Sequence, residues 1–184
     1  MCRRSPGAAP PVFPMTSQRR IFLIGPMGAG KTTIGKRLAK ALKFRFIDAD
    51  HELERRTGAK IALIFDIEGE AGFRQREQKL LEELTREDGV VLATGGGAVL
   101  SAETRAALAS RGLTVYLHAE LDELLARTRN DTARPLLQGP DRAERLLRIV
   151  TEREPLYAQT AHLTIDTGRH PIAEIVATIK QALA

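Results

Sequence analysis

The chain has 184 residues, 43% of them apolar and 28% charged, which suits one soluble domain with a real core. Its formal charge of +5 comes mostly from one end: residues 1–20 hold Arg3, Arg4, Arg19 and Arg20 and no acid, and the remainder is nearly neutral. A near-neutral body with no Trp, two Tyr and six Phe argues against a polyanion-binding or base-stacking nucleic-acid module.

Residues 1–18 contain Pro6, Pro10, Pro11 and Pro14 and no continuous apolar run, so they make a poor secretory signal. A disordered tail, or an upstream start with Met15 as the real beginning, fits this stretch better than a short organellar transit segment. Cys2 is the lone cysteine and can form no intrachain disulfide, which fits a reducing compartment and a cytoplasmic location. No apolar run approaches the ~20 residues a membrane span needs.

Short apolar runs at Ile21–Ile24, Phe44–Ile47, Val90–Ala93, Val115–Leu117 and Leu163–Ile165 read as strands buried on both faces. Helical spacing separates them. Ile34, Leu38, Ala41 and Leu42 form one stripe, and Phe73, Leu80, Leu81 and Leu84 another. Ser101 is a cap for the helix of Ala106, Leu108 and Ala109. Leu121, Leu124 and Leu125 follow, then Leu146, Leu147 and Val150. Pro171 opens a last helix at its first turn. This alternation predicts an α/β fold with a parallel five-stranded sheet wrapped by helices, with ligands at the carboxyl ends of the strands.

GPMGAGKT, from Gly25 to Thr32, matches G-x-x-x-x-G-K-[ST] between the first strand and the first helix. Gly25, Gly28 and Gly30 let backbone amides turn inward, Lys31 reaches β- and γ-phosphates, and Thr32 offers a hydroxyl to Mg²⁺. The motif points to a triphosphate site and leaves kinase, switch and motor open.

Asp48 and Asp50 end the second strand, where carboxylates can do metal or general-base work; the alternative is that Asp50 only caps the next helix. Arg74 and Glu77 share a helical face, as they would in an ordinary surface ion pair. Thr94 and Gly95, Gly96 and Gly97 follow the third strand, either as a backbone wall for a ligand or as a plain loop. Arg134 sits in NDTARPLLQGPD, a loop that could carry a cation over the γ-phosphate. Arg153 lies late in a helix with nothing local to assign it. His51, His118, His162 and His170 are scattered without metal-ligand spacing and read as ordinary residues.

The stretches GPMGAGKTTIGKRLAKAL, FIDAD, ELERRTG, GFRQRE, GGGAV, RPLL and REPLY, in this order and spacing, resemble the shikimate kinases. The resemblance implies a three-layer α/β/α P-loop kinase over residues 19–184, with a substrate-binding helical segment at about 49–78 and a lid at about 129–142. It implies ATP-dependent phosphorylation of the shikimate 3-hydroxyl with Mg²⁺, by a monomer engaging no nucleic acid or membrane. Lys31, Asp50 and Arg134 would be catalytic, with Asp50 orienting or deprotonating the acceptor hydroxyl. ATP would meet Gly28, Ala29, Gly30, Lys31, Thr32, Thr33, Arg127, Arg134 and His170, the adenine lying near Arg127, His170 and Pro171. Arg74 and Arg153 would clamp the shikimate carboxylate beside Gly95, Gly96 and Gly97, and Thr32 and Asp48 would serve the metal. A gluconate-type kinase and an inactive nucleotide-binding module are the alternatives.

Overall fold

The computed structural model describes residues 19–129 and 141–183. The expectations for the tail at 1–18, for most of the lid and for Arg134 therefore lie outside the described residues. Five strands form one parallel sheet: β1 (Arg20–Ile24), β2 (Arg45–Asp48), β3 (Val90–Ala93), β4 (Leu113–His118) and β5 (Leu163–Asp166), in the order β2-β3-β1-β4-β5. All five predicted runs are strands. β2 begins one residue late because Lys43 takes a left-handed conformation (φ 57°) to close the preceding helix, which leaves Phe44 in the connection.

Among the described residues, seven α-helices wrap the sheet: α1 (Lys31–Leu42), α2 (Ala49–Thr57), α3 (Ile61–Leu84), α4 (Ala102–Arg111), α5 (Leu121–Thr128), α6 (Arg142–Thr160) and α7 (Ile172–Gln181). Ser101 caps α4 by accepting from the Thr104 amide, as expected. Pro171 stands just outside α7 in an extended conformation rather than inside its first turn.

Side chains alternate along the central strand, which puts a core on each face. Ile21 and Leu23 join Leu38 of α1, Leu124 of α5 and Ile175 and Ile179 of α7. Phe22 and Ile24 join Phe73 and Leu81 of α3, Leu108 of α4 and Tyr157 of α6. These four β1 residues, Ile21 to Ile24, are completely buried, as a strand covered on both sides must be. No described helix is long and apolar enough to cross a membrane.

The start of α3 lies in the helical segment that the resemblance implies, but the apolar spacing showed no stripe there. Its first turns, from Ile61, meet the remainder at Gly69, whose φ 69° and ψ −178° break the helical run. Phe65 and Phe73 pack across the break with ring centroids 4.7 Å apart, and Glu68 takes two hydrogen bonds from Arg76, both of 2.7 Å. The bend turns Ile61, Ala62 and Phe65 toward the carboxyl ends of the strands.

Candidate active site

A cavity of about 820 Å³ opens at those strand ends. It sits where the chain order reverses about β1, the usual ligand crevice of an open parallel sheet. The Gly25–Gly30 loop forms one wall. Gly25 is irreplaceable there: at φ 141° a Cβ would lie 2.5 Å from the Leu117 carbonyl oxygen of β4. Lys31 opens α1 and donates to the carbonyls of Gly25 at 2.7 Å and Pro26 at 2.8 Å, so its ammonium is folded over the loop. Gly28, Gly30, Thr32 and Thr33 line the cavity, whereas Ala29 is fully buried beneath it.

The Thr32 hydroxyl donates to Asp48 Oδ2 at 2.7 Å. The other Asp48 oxygen accepts from the amides of Asp50 and His51 at 3.2 and 3.4 Å. The cap of α2 is therefore Asp48, not Asp50: the helix starts at Ala49, which puts Asp50 in its first turn and against the cavity.

Arg74 and Arg153 both line this cavity with Lys31 and Asp50. Arg153 comes from α6 and is 5% exposed. Arg74 pairs with Glu77 at 2.6 Å and with Glu70 at 3.1 Å. This is no surface pair, since Glu77 is only 4% exposed and its Oε1 has no hydrogen-bond partner among the described residues. Burial pushes the Glu77 carboxyl above its ordinary range despite the neighbouring Arg74 charge. For Arg74, burial works to lower the pKa, but the charges and hydrogen bonds of Glu77 and Glu70 outweigh it and the net shift is upward. Arg74 stays a cation.

The triple glycine does more than admit a ligand. A Cβ on Gly95 would fall 2.3 Å from Glu77 Oε1 and 3.0 Å from Asp50 Oδ1, and one on Gly97 would fall 2.3 Å from the Arg74 guanidinium. The wall is bare because protein side chains already occupy that space. Gly96 differs: its carbonyl accepts from the Tyr157 hydroxyl at 2.5 Å.

Arg127 also reaches the cavity. It donates to the Gly28 carbonyl at 3.3 Å and to the Thr167 hydroxyl at 3.0 Å, which ties the loop to the segment after β5. His170 is not brought into the cavity. It pairs with Glu174 at 3.3 Å in a separate groove between β5 and α7. His118, at the end of β4, lies among carboxylates, with ligand atoms of Glu120 and Asp166 within 4.8 Å. Glu120 is two residues along, but Asp166 comes from β5, so spacing along the chain gave no sign of the group. Sequence reasoning also missed the depth of Glu77, the Tyr157 contact and the apolar wall of Ile61 and Phe65. The first two lay within quoted motifs, but nothing local told burial from exposure.

A family model for shikimate kinase matches residues 27–184. The chain belongs to the shikimate kinase family. The shikimate kinase of Bordetella pertussis is 55% identical over 159 residues, 86% of this chain and 75% of that protein. That of Aromatoleum aromaticum is 52% identical over 163 residues, 89% of this chain and 93% of its own. Among structures, a shikimate kinase from Acinetobacter baumannii in complex with shikimate superposes with a TM-score of 0.87 at 46% identity, covering 91% of this chain and 93% of that one. A gluconokinase from Sinorhizobium meliloti shares the fold at 21% identity and a TM-score of 0.58, over 91% of this chain and 92% of that one.

Proposed function

We propose that this shikimate kinase family member transfers the γ-phosphoryl group of ATP to the 3-hydroxyl of shikimate, giving 3-phosphoshikimate and ADP. The observation that carries the reading is the single cavity shared by Arg74, Arg153, Asp50 and Lys31. A planar guanidinium matches a carboxylate, and two of them anchor an acid at one end of the pocket. Asp50 then faces the alcohol, and Lys31 faces the nucleotide phosphates.

The acceptor hydroxyl is barely acidic, so rate must come from alignment and charge neutralisation more than from proton removal. Asp50 accepts the hydroxyl hydrogen bond and aims the oxygen at phosphorus. Lys31 leaves the Gly25 and Pro26 carbonyls for the phosphates. Arg127 braces the loop near the base. The Thr32 hydroxyl and Asp48 carboxylate, already hydrogen-bonded to each other beside the loop, are hard oxygen donors of the kind Mg²⁺ takes in nucleotide sites. When bound there, the ion supplies countercharge to the phosphate oxygens.

Coupled ADP release with shikimate, gluconate and nucleoside monophosphates tests the proposal. Turnover is expected with shikimate alone, and preference for gluconate would point to the sugar-acid alternative. Arg153→Ala should lower kcat/KM for shikimate by about ten- to a hundredfold, the loss of one charged hydrogen bond, and leave ATP affinity nearly unchanged. Unaltered shikimate kinetics would take Arg153 out of the site.

A further inference from the structure

Tyr157 lies beneath the cavity and is 1% exposed. Its ring stacks on Tyr116 of β4, with centroids 5.1 Å apart and an interplanar angle of 23°. The hydroxyl donates to the Gly96 carbonyl. The Arg153 side chain stands one helical turn earlier on the same face of α6, close enough for its charge to act on this hydroxyl. One oxygen is thus bonded to the glycine wall after β3 and neighbours the guanidinium on α6. Arg153 Nε is buried without a partner among the described residues, and Gly96 follows a strand end with no side chain of its own to pack.

We propose that Tyr157 is a positioning residue that fixes the Gly95–Gly97 wall against Arg153 and so sets the width of the acid pocket. The proposal rests on the shikimate reading given above. Tyr116 makes a built-in comparison. It is equally buried and belongs to the same stack, yet its hydroxyl has no hydrogen-bond partner among the described residues. A hydroxyl that served only the core would matter no more at 157 than at 116.

The test compares Tyr157→Phe with Tyr116→Phe; both keep the ring and the stack. Tyr157→Phe is expected to raise the KM for shikimate about three- to tenfold, while kcat and the KM for ATP move less than about twofold. Tyr116→Phe is expected to leave all three in place. A wild-type shikimate KM in Tyr157→Phe overturns the proposal, as does an equal rise in both variants or for both substrates. A Tyr157→Phe chain that loses its cooperative melt overturns it too, since the hydroxyl would then serve the fold. Wild-type protein that fails to phosphorylate shikimate sinks the functional reading instead. The comparison is then run with whichever acid the wild type accepts.

Discussion

Adding one methyl group separates the three glycines of the pocket wall. At Gly95 it would land on a buried carboxylate that is ion-paired and cannot retreat into water. At Gly96 it would meet only ordinary contacts of 3.6 to 3.7 Å with Gly25, Met27 and Tyr157. Gly95→Ala is therefore expected to cost about 1–3 kcal/mol of stability, the usual penalty of overpacking. Gly96→Ala should melt close to the wild type. Thermal unfolding of the two variants checks the contrast, and equal melting temperatures would show that Glu77 can move aside. The glycine wall was legible in the sequence as a wall, but its reason was not. A run of glycines shows that space is needed; only the fold shows that Glu77, Asp50 and Arg74 take it.

At the scale of elements, α3 is two helices joined at a glycine. The conformation of Gly69 is one that residues with a Cβ avoid, and no atom lies within 4 Å of where that Cβ would be. The objection to a side chain there is purely conformational. Gly69→Ala should lose about 1–3 kcal/mol in thermal unfolding, even though the substitution raises helix propensity. A more stable variant would mean that the bend straightens freely.

Charged contacts fasten the same helix to its neighbours. Arg56 of α2 bridges Glu52 and, at 2.5 Å, Glu83 of α3, while Arg111 of α4 reaches Glu82 at 2.8 Å. Hydrogen bonds from Arg55 and Arg56 hold the Glu52 carboxyl down to about 2, and those from Arg111 and Arg86 do the same for Glu82. A depressed carboxyl adds stability that is complete above its ordinary value of 4.5 and fades as pH falls toward 2. The melting-temperature gap between Glu52→Gln and wild type should thus narrow as pH drops from 4.5 to 2. A gap independent of pH would remove Glu52 from the acid response. Such exposed pairs are individually weak, so the shift will be small and salt-sensitive.

For the molecule as a whole, the sheet and most of its helices were written plainly in the chain. Doubly buried parallel strands are short uninterrupted apolar runs, and turn residues bound them on both sides. The phosphate loop was equally clear, because its glycines and lysine are adjacent. What stayed hidden was anything that depends on distant partners: whether Arg74 and Glu77 face water or the core, which aspartate caps α2, and that Tyr157 on α6 bonds a loop 61 residues earlier.

The charges around the cavity carry a consequence for how ligands arrive. Among the described residues, Lys31, Lys60, Arg74, Arg127 and Arg153 stand against Asp48, Asp50, Glu54 and Glu77, so cations exceed anions there by a single charge. So balanced a mouth projects little field into solution, and diffusional capture of an acidic substrate will gain little from steering. Its encounter rate in stopped-flow binding should change by no more than roughly threefold between low and high ionic strength, because screening has little long-range attraction to remove. A steep decline with salt would mean that the carboxylates do not offset the cations as their placement implies, and that substrates are drawn in from a distance instead of recognised on contact.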